Sequence, residues 1–120
     1  MKKINISFDD QELQATLVDN SSTEALIEKL KKGDLSVKMN DYANMEKVGS
    51  LGFRLPTNDE PIRATAGDLI LYQGDKLVLY YAKNNWSFTR LGKVDNINPK
   101  NLKKTVGKGT ITVTISLLSN

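Results

Sequence analysis

The chain has 120 residues, 39% hydrophobic and 26% charged, the balance of one globular domain (residues 1–120) able to bury a core without covalent staples. It holds no cysteine and no histidine, which excludes disulfides, thiolate metal sites and cysteine nucleophiles and removes the commonest general base and metal ligand. The net charge of +3 is uneven: residues 1–60 carry 8 basic and 11 acidic side chains, residues 61–120 carry 9 and 3.

Ile4, Ile6 and Phe8 alternate with polar residues, Asp9-Asp10-Gln11 turns the chain, and Leu13, Ala15 and Leu17 resume the alternation, so an N-terminal β-hairpin is expected. No apolar run of signal-peptide or membrane-spanning length is present, and the expected location is cytoplasmic with no membrane partner. Ser21-Ser22-Thr23-Glu24 predicts a helix start, with Ser21 and Glu24 as a capping box. Leu26, Ile27 and Leu30 give that helix one apolar face, and Gly33 ends it.

Leu35, Val37 and Met39 predict a third strand, followed by a polar, turn-rich Asn40–Lys47. Val48–Leu55, with Gly49 and Gly52, reads as one bent or bulged strand, and Pro56–Pro61 as a loop. Two apolar runs, Leu69–Tyr72 and Leu77–Tyr81, are separated only by Gln73-Gly74-Asp75-Lys76, the pattern of a hairpin buried on both faces. Trp86–Arg90 alternates large apolar with polar residues and reads as a half-buried strand.

Asn98-Pro99 supplies an N-cap and a first helical residue, so a short helix is predicted over Pro99–Val106. Lys93, Lys100, Lys103, Lys104 and Lys108 carry most of the basic excess; without interleaved aromatics they read as a solvated loop and helix, and nucleic acid is not an expected partner. Ile111, Val113, Ile115 and Leu117 alternate with Thr and Ser in the cleanest strand pattern of the chain. About eight short strands and two short helices predict a mainly β domain, a single closed β-barrel whose last strand pairs with the first.

Met39-Asn40-Asp41-Tyr42, Asn44-x-Glu46-Lys47, Leu55-Pro56-Thr57-Asn58, Ala66–Tyr72 and Trp86–Lys93, in this order and spacing, resemble the bacterial cyclophilin-like fold proteins over nearly the whole chain. The resemblance implies a cyclophilin-like β-barrel of eight strands with a helix at each end, sometimes accompanying flavodoxins, and it implies no settled reaction or cofactor. The enzymatic cyclophilins carry a Phe-His-Arg context, a Gln-Gly-Gly segment and a His in the proline pocket. Here Phe53-Arg54 matches only part of the first, and the other two are missing.

Prolyl isomerisation needs an apolar pocket and a cation at the twisting imide, which Phe53, Tyr72, Tyr81, Trp86, Phe88 and Arg54 have the chemistry to supply. The plainer expectation is that the aromatics fill the barrel and Arg54 sits on a solvated rim. Asp41 and Glu46 flank Tyr42, but turn chemistry accounts for Asn40-Asp41, and neither a phosphate loop, a metal constellation nor a nucleophile elbow is present in the sequence. The favoured reading is a binding module without catalysis, for a peptide, a partner protein (a flavodoxin-like one included) or a small ligand. Its candidate residues are Tyr42, Glu46, Phe53, Arg54, Tyr72, Trp86 and Arg90, with Asn40–Glu46 as one wall. The alternative is a weak peptidyl-prolyl isomerase using Arg54.

Overall fold

A computed structural model of the chain describes residues 2–118. Its elements follow in the order β1 (Lys3–Phe8), β2 (Gln11–Leu17), α1 (Ser21–Lys32), β3 (Leu35–Tyr42), β4 (Glu46–Ser50), β5 (Glu60–Ala64), β6 (Asp68–Tyr72), β7 (Lys76–Tyr80), β8 (Asn84–Val94), α2 (Pro99–Val106) and β9 (Ile111–Leu117). The antiparallel order β2-β1-β9-β3-β4-β7-β6-β8 closes through a β2–β8 pairing into an eight-stranded barrel, and β5 adds to β8 as a ninth, outer strand. The last strand lies between β1 and β3, with Ile115 opposite Ile6 and Val113 opposite Val37, so the pairing expected of the two terminal strands is present. Closure brings β2 and β8 so close that a Cβ on Gly92 would sit 2.3 Å from the Thr16 carbonyl oxygen.

The barrel interior is aliphatic. Ile4, Ile6, Val37, Leu69, Leu71, Leu77, Leu79, Val113 and Ile115 fill it, and Leu26 and Leu30 of α1 and Leu102 and Val106 of α2 join the same cluster. The period-2 geometry of a strand sends Ile70, Val78 and Tyr80 to the opposite face. There they form a second apolar cluster with Ile62, Ala64 and Phe88. This is why the Leu69–Tyr72 and Leu77–Tyr81 runs are apolar throughout: both of their faces are covered.

β8 is shared between the two layers. Its first half, Asn84–Phe88, pairs with β5, while Thr89 and the residues after it pair with β6 across a bulge at Leu69/Ile70. The arm formed by β5 and the first half of β8 therefore extends beyond the closed barrel.

Three local expectations are corrected. The N-cap of α1 is Asn20, whose side chain accepts the Thr23 N–H at 2.8 Å while the Thr23 hydroxyl accepts the Asn20 N–H at 3.2 Å; Ser21 and Glu24 do not form the box. The bent strand predicted over Val48–Leu55 ends at Ser50, because Gly52 takes φ 86° and the chain turns to lean on the β6–β7 turn, where Leu51 and Leu55 donate to Asp75 and Gly74. The Asn40–Lys47 loop is a tight hairpin: β3 runs to Tyr42, Ala43 and Asn44 turn with φ 53° and 55°, and β4 starts at Glu46. Two successive positive φ values match the twist of the flanking strands, as in a type I′ turn, and Asn tolerates that conformation better than most residues.

Candidate functional site

The outer faces of β4, β7 and β6, together with the β8 arm, enclose a cavity of about 480 Å³. Its floor is a cross-strand ladder. Tyr42 of β3 stands opposite Glu46 of β4, and Glu46 opposite Tyr80 of β7; one step along, Val48 stands opposite Val78. Phe88, Trp86 and Asn84, at alternate positions of the arm, turn one face to the cavity, and Tyr72 and Lys76, a facing pair of β6 and β7, close its far end. Tyr80 and Phe88 pack with ring centroids 5.8 Å apart at 47°. Five of the chain's eight aromatic side chains line this one cavity. Among the described residues the exposed large hydrophobics are Tyr42 and Trp86, each 61% accessible, and they stand on its two sides.

One carboxylate lies in this apolar setting. Glu46 is 7% exposed, and burial pushes its carboxyl above the usual glutamate range, an effect the Tyr80 hydroxyl partly offsets by hydrogen bonding. Asn84 donates to the Tyr80 hydroxyl at 3.0 Å. Burial, with a further push from Glu46, raises the Tyr80 phenol to about 12. Glu46 enters none of the ion pairs found among the described residues. Lys76, which also lines the cavity, pairs with Asp75 at 3.0 Å and lies one strand away from Ser50, four residues and roughly 13 Å along β4 from Glu46.

Four of the residues singled out from the sequence meet here: Tyr42, Glu46, Tyr72 and Trp86. Trp86 is exposed rather than a barrel filler, which corrects the expectation for it; the arm carries it outside the closed strands. Three others lie outside the cavity lining. Phe53 packs against the interior cluster with the Lys29 ammonium 4.8 Å from its ring centroid. The Arg54 guanidinium lies over the β6–β7 turn, 2.7 Å from where a Cβ on Gly74 would stand. Arg90 stands opposite Ile70 on the outer face and is bound to the buried Asp68 at 3.1 Å. Of the Asn40–Glu46 segment, a hairpin rather than a loop, Tyr42, Met45 and Glu46 line the cavity.

Met45, which falls within the expected Asn40–Glu46 wall, and Phe88, named as an aromatic for a proline pocket, also line the cavity; Val48, Lys76, Val78, Tyr80 and Asn84 complete the lining, and the sequence reading did not assign these five to a binding site. A signal for two of them was present. In an apolar run buried on both faces, alternate residues must leave the barrel interior, and Val78 and Tyr80 are the alternates of Leu77 and Leu79.

No curated protein matches the chain. Among solved structures, a hypothetical protein from Archaeoglobus fulgidus, determined in solution, is similar with a TM-score of 0.63 at 14% identity, covering 94% of this chain and 92% of the other. At that identity the likeness concerns the fold. The model of the Cyclophilin-like family matches residues 6–116, and the chain accordingly belongs to the Cyclophilin-like family.

Proposed function

We propose that this domain is a binding module whose site is the outer-face cavity, taking up an apolar group from a small ligand or from a peptide or protein partner. The observation that carries this reading is the position of Tyr42 and Trp86. Exposed rings of this size are costly in water, and here both flank a concave, aromatic-lined cavity of a volume ordinary for a ligand site. Rigid strands hold the walls, so little ordering is needed when a ligand enters. The isomerase alternative gains nothing from the geometry, since Arg54, its imide-directed cation, is not part of the lining.

The test is an amide-shift titration with ethylbenzene and with the peptide acetyl-Ala-Ala-Pro-Phe-amide, run beside an isomerisation assay on the same peptide. Shifts gathered at Tyr42, Glu46, Tyr72, Trp86 and Phe88 without turnover are expected. Turnover that disappears in Arg54→Ala would overturn the non-catalytic reading, and shifts centred elsewhere would overturn the site.

A further inference from the structure

We infer that the cavity is selective for a small organic cation, an aromatic or alkyl body carrying a protonated amine that pairs with Glu46. This inference rests on the binding reading above and adds the class of ligand to it. Three features of the cavity lead to it.

Glu46 is a residue more than nine-tenths buried that lines the cavity, and its carboxylate has no cationic partner among the described residues. An ionised carboxylate in apolar surroundings is costly, and a ligand cation offsets that cost where a neutral or anionic ligand leaves or worsens it. The rings around it add to the preference. Tyr42 of β3 and Tyr80 of β7 flank Glu46 in register, and Trp86, Phe88 and Tyr72 line the remaining wall. Aromatic faces attract ammonium groups, and a cage of several rings beside a carboxylate is a common architecture for alkylammonium recognition.

The third feature is the distribution of charge. Lys76, at the opposite end and held by Asp75, is too far from Glu46 to neutralise it. The cavity is therefore anionic at the Glu46 end and apolar along Val48, Val78 and Phe88, which orients a ligand with its amine at Glu46 and its body on the rings. The titratable groups set around the Glu46 carboxylate are the phenols of Tyr42 from β3 and Tyr80 from β7, with Tyr81, next to Tyr80, close enough to feel its charge; burial raises Tyr80 to about 12 and Tyr81 likewise. Glu46 is then the group that sets the charge at that end.

Trp86 is the single tryptophan of the chain and stands in the cavity wall, so its emission reports occupancy directly. The probes are phenethylamine, neutral ethylbenzene and anionic 3-phenylpropionate, which share a phenyl body and differ in the head group. Phenethylamine is expected to bind about tenfold more tightly than either of the others, the scale of one charge-assisted contact. Glu46→Gln is expected to erase that preference, bringing phenethylamine to within about twofold of ethylbenzene on the same variant. In the unmodified protein, phenethylamine affinity should fall as pH drops through the raised Glu46 value while the amine stays protonated, and ethylbenzene affinity should not change; this arm needs no variant.

Equal binding of all three probes, with no effect of Glu46→Gln or pH, would overturn the cation inference and leave the cavity as an apolar site. Tighter binding of the dipeptide acetyl-Phe-Lys-amide than of phenethylamine would overturn the assignment to a small free amine. Silence of Trp86 toward every probe would overturn the binding site itself.

Discussion

The two faces of one short stretch of sheet treat their polar groups in opposite ways. Asp41-Tyr42, Glu46-Lys47 and Tyr80-Tyr81 are three adjacent pairs on three neighbouring strands, and strand alternation sends one member of each pair to either side. On the inner side, Lys47 is fully buried, pairs with Asp41 at 2.8 Å and donates to the Gly109 carbonyl. Asp41 also accepts from the Tyr81 hydroxyl at 3.0 Å and the Gly109 N–H at 2.7 Å. With so many donors, the Lys47 ammonium foremost, its carboxyl lies below the usual aspartate range. On the outer side, Tyr42, Glu46 and Tyr80 meet no cation among the described residues, and the Glu46 carboxyl lies above the usual glutamate range because it is desolvated. A saturated polar cluster ties β3, β4 and the approach to β9 together. The other opens to a cavity, and its carboxylate enters no ion pair among the described residues.

The widest separation of the two faces is in stability. Leu71, without exposure, belongs to the interior cluster, and Leu71→Ala should lower the unfolding free energy by about 3 kcal/mol, the transfer and cavity cost of a buried leucine. A denaturant midpoint close to that of the unmodified protein would show that the barrel interior does not carry the fold.

Lys47→Ala comes next. It strips Asp41 of its ammonium partner and leaves a void, and since Asp41 keeps two other donors and partial solvent access, the expected loss is about 2 kcal/mol in urea unfolding. Glu46→Gln, on the other face, breaks no ion pair and should change stability by less than about 0.5 kcal/mol. Equal losses at the two positions would erase the distinction between a structural and a functional cluster.

Trp86→Ala should be nearly silent in stability, below about 0.5 kcal/mol when followed by circular dichroism, while abolishing ethylbenzene binding. A loss approaching that of Leu71→Ala would mean that the ring is core despite its exposure.

The smallest effects are in pH dependence, and their signs differ. The lowered value of Asp41 contributes stability that is complete above the ordinary aspartate value and is lost as pH falls through the lower folded value. The raised value of Glu46 does the reverse: the cost of its buried charge is present above the folded value and is relieved as pH falls toward the ordinary glutamate value. Carboxyl-carbon shifts should show Glu46 titrating well above Asp41, and the opposite order would break the comparison outright.

Much of the barrel was legible because period-2 alternation is a local property of the chain. Ile4–Phe8, Leu13–Leu17 and Ile111–Leu117 alternate, and all three are strands of the closed sheet. Helix α2 begins at Pro99 after the Asn98 cap, as local chemistry requires. The cap of α1 was less determined, since Asn20, Ser21, Ser22 and Thr23 are all capping types. Contacts made from a distance chose among them: Ser21 and Ser22 accept from Asn58, and Ser22 donates to the Pro56 carbonyl, which leaves Asn20 for the helix.

The site was half legible. Tyr42, Glu46, Tyr72 and Trp86 stood out as aromatic or charged residues near turns, and the cavity gathers them. Phe53, Arg54 and Arg90 stood out for the same reason and go elsewhere, because the turn at Gly52 sends Phe53 to the interior cluster and Arg54 to the β6–β7 turn, and because Asp68 holds Arg90.

By itself the sequence determined which residues alternate, where the chain turns and that both faces of the β6–β7 hairpin must be covered, since these follow from side-chain period and backbone sterics within a few residues. Tertiary structure alone decided that β5 draws the first half of β8 off the barrel, which leaves Trp86 on a wall rather than in a core. It also decided that Asp41 meets Lys47 while Glu46, among the described residues, meets no cation, because which charges become neighbours depends on the register of strand pairing.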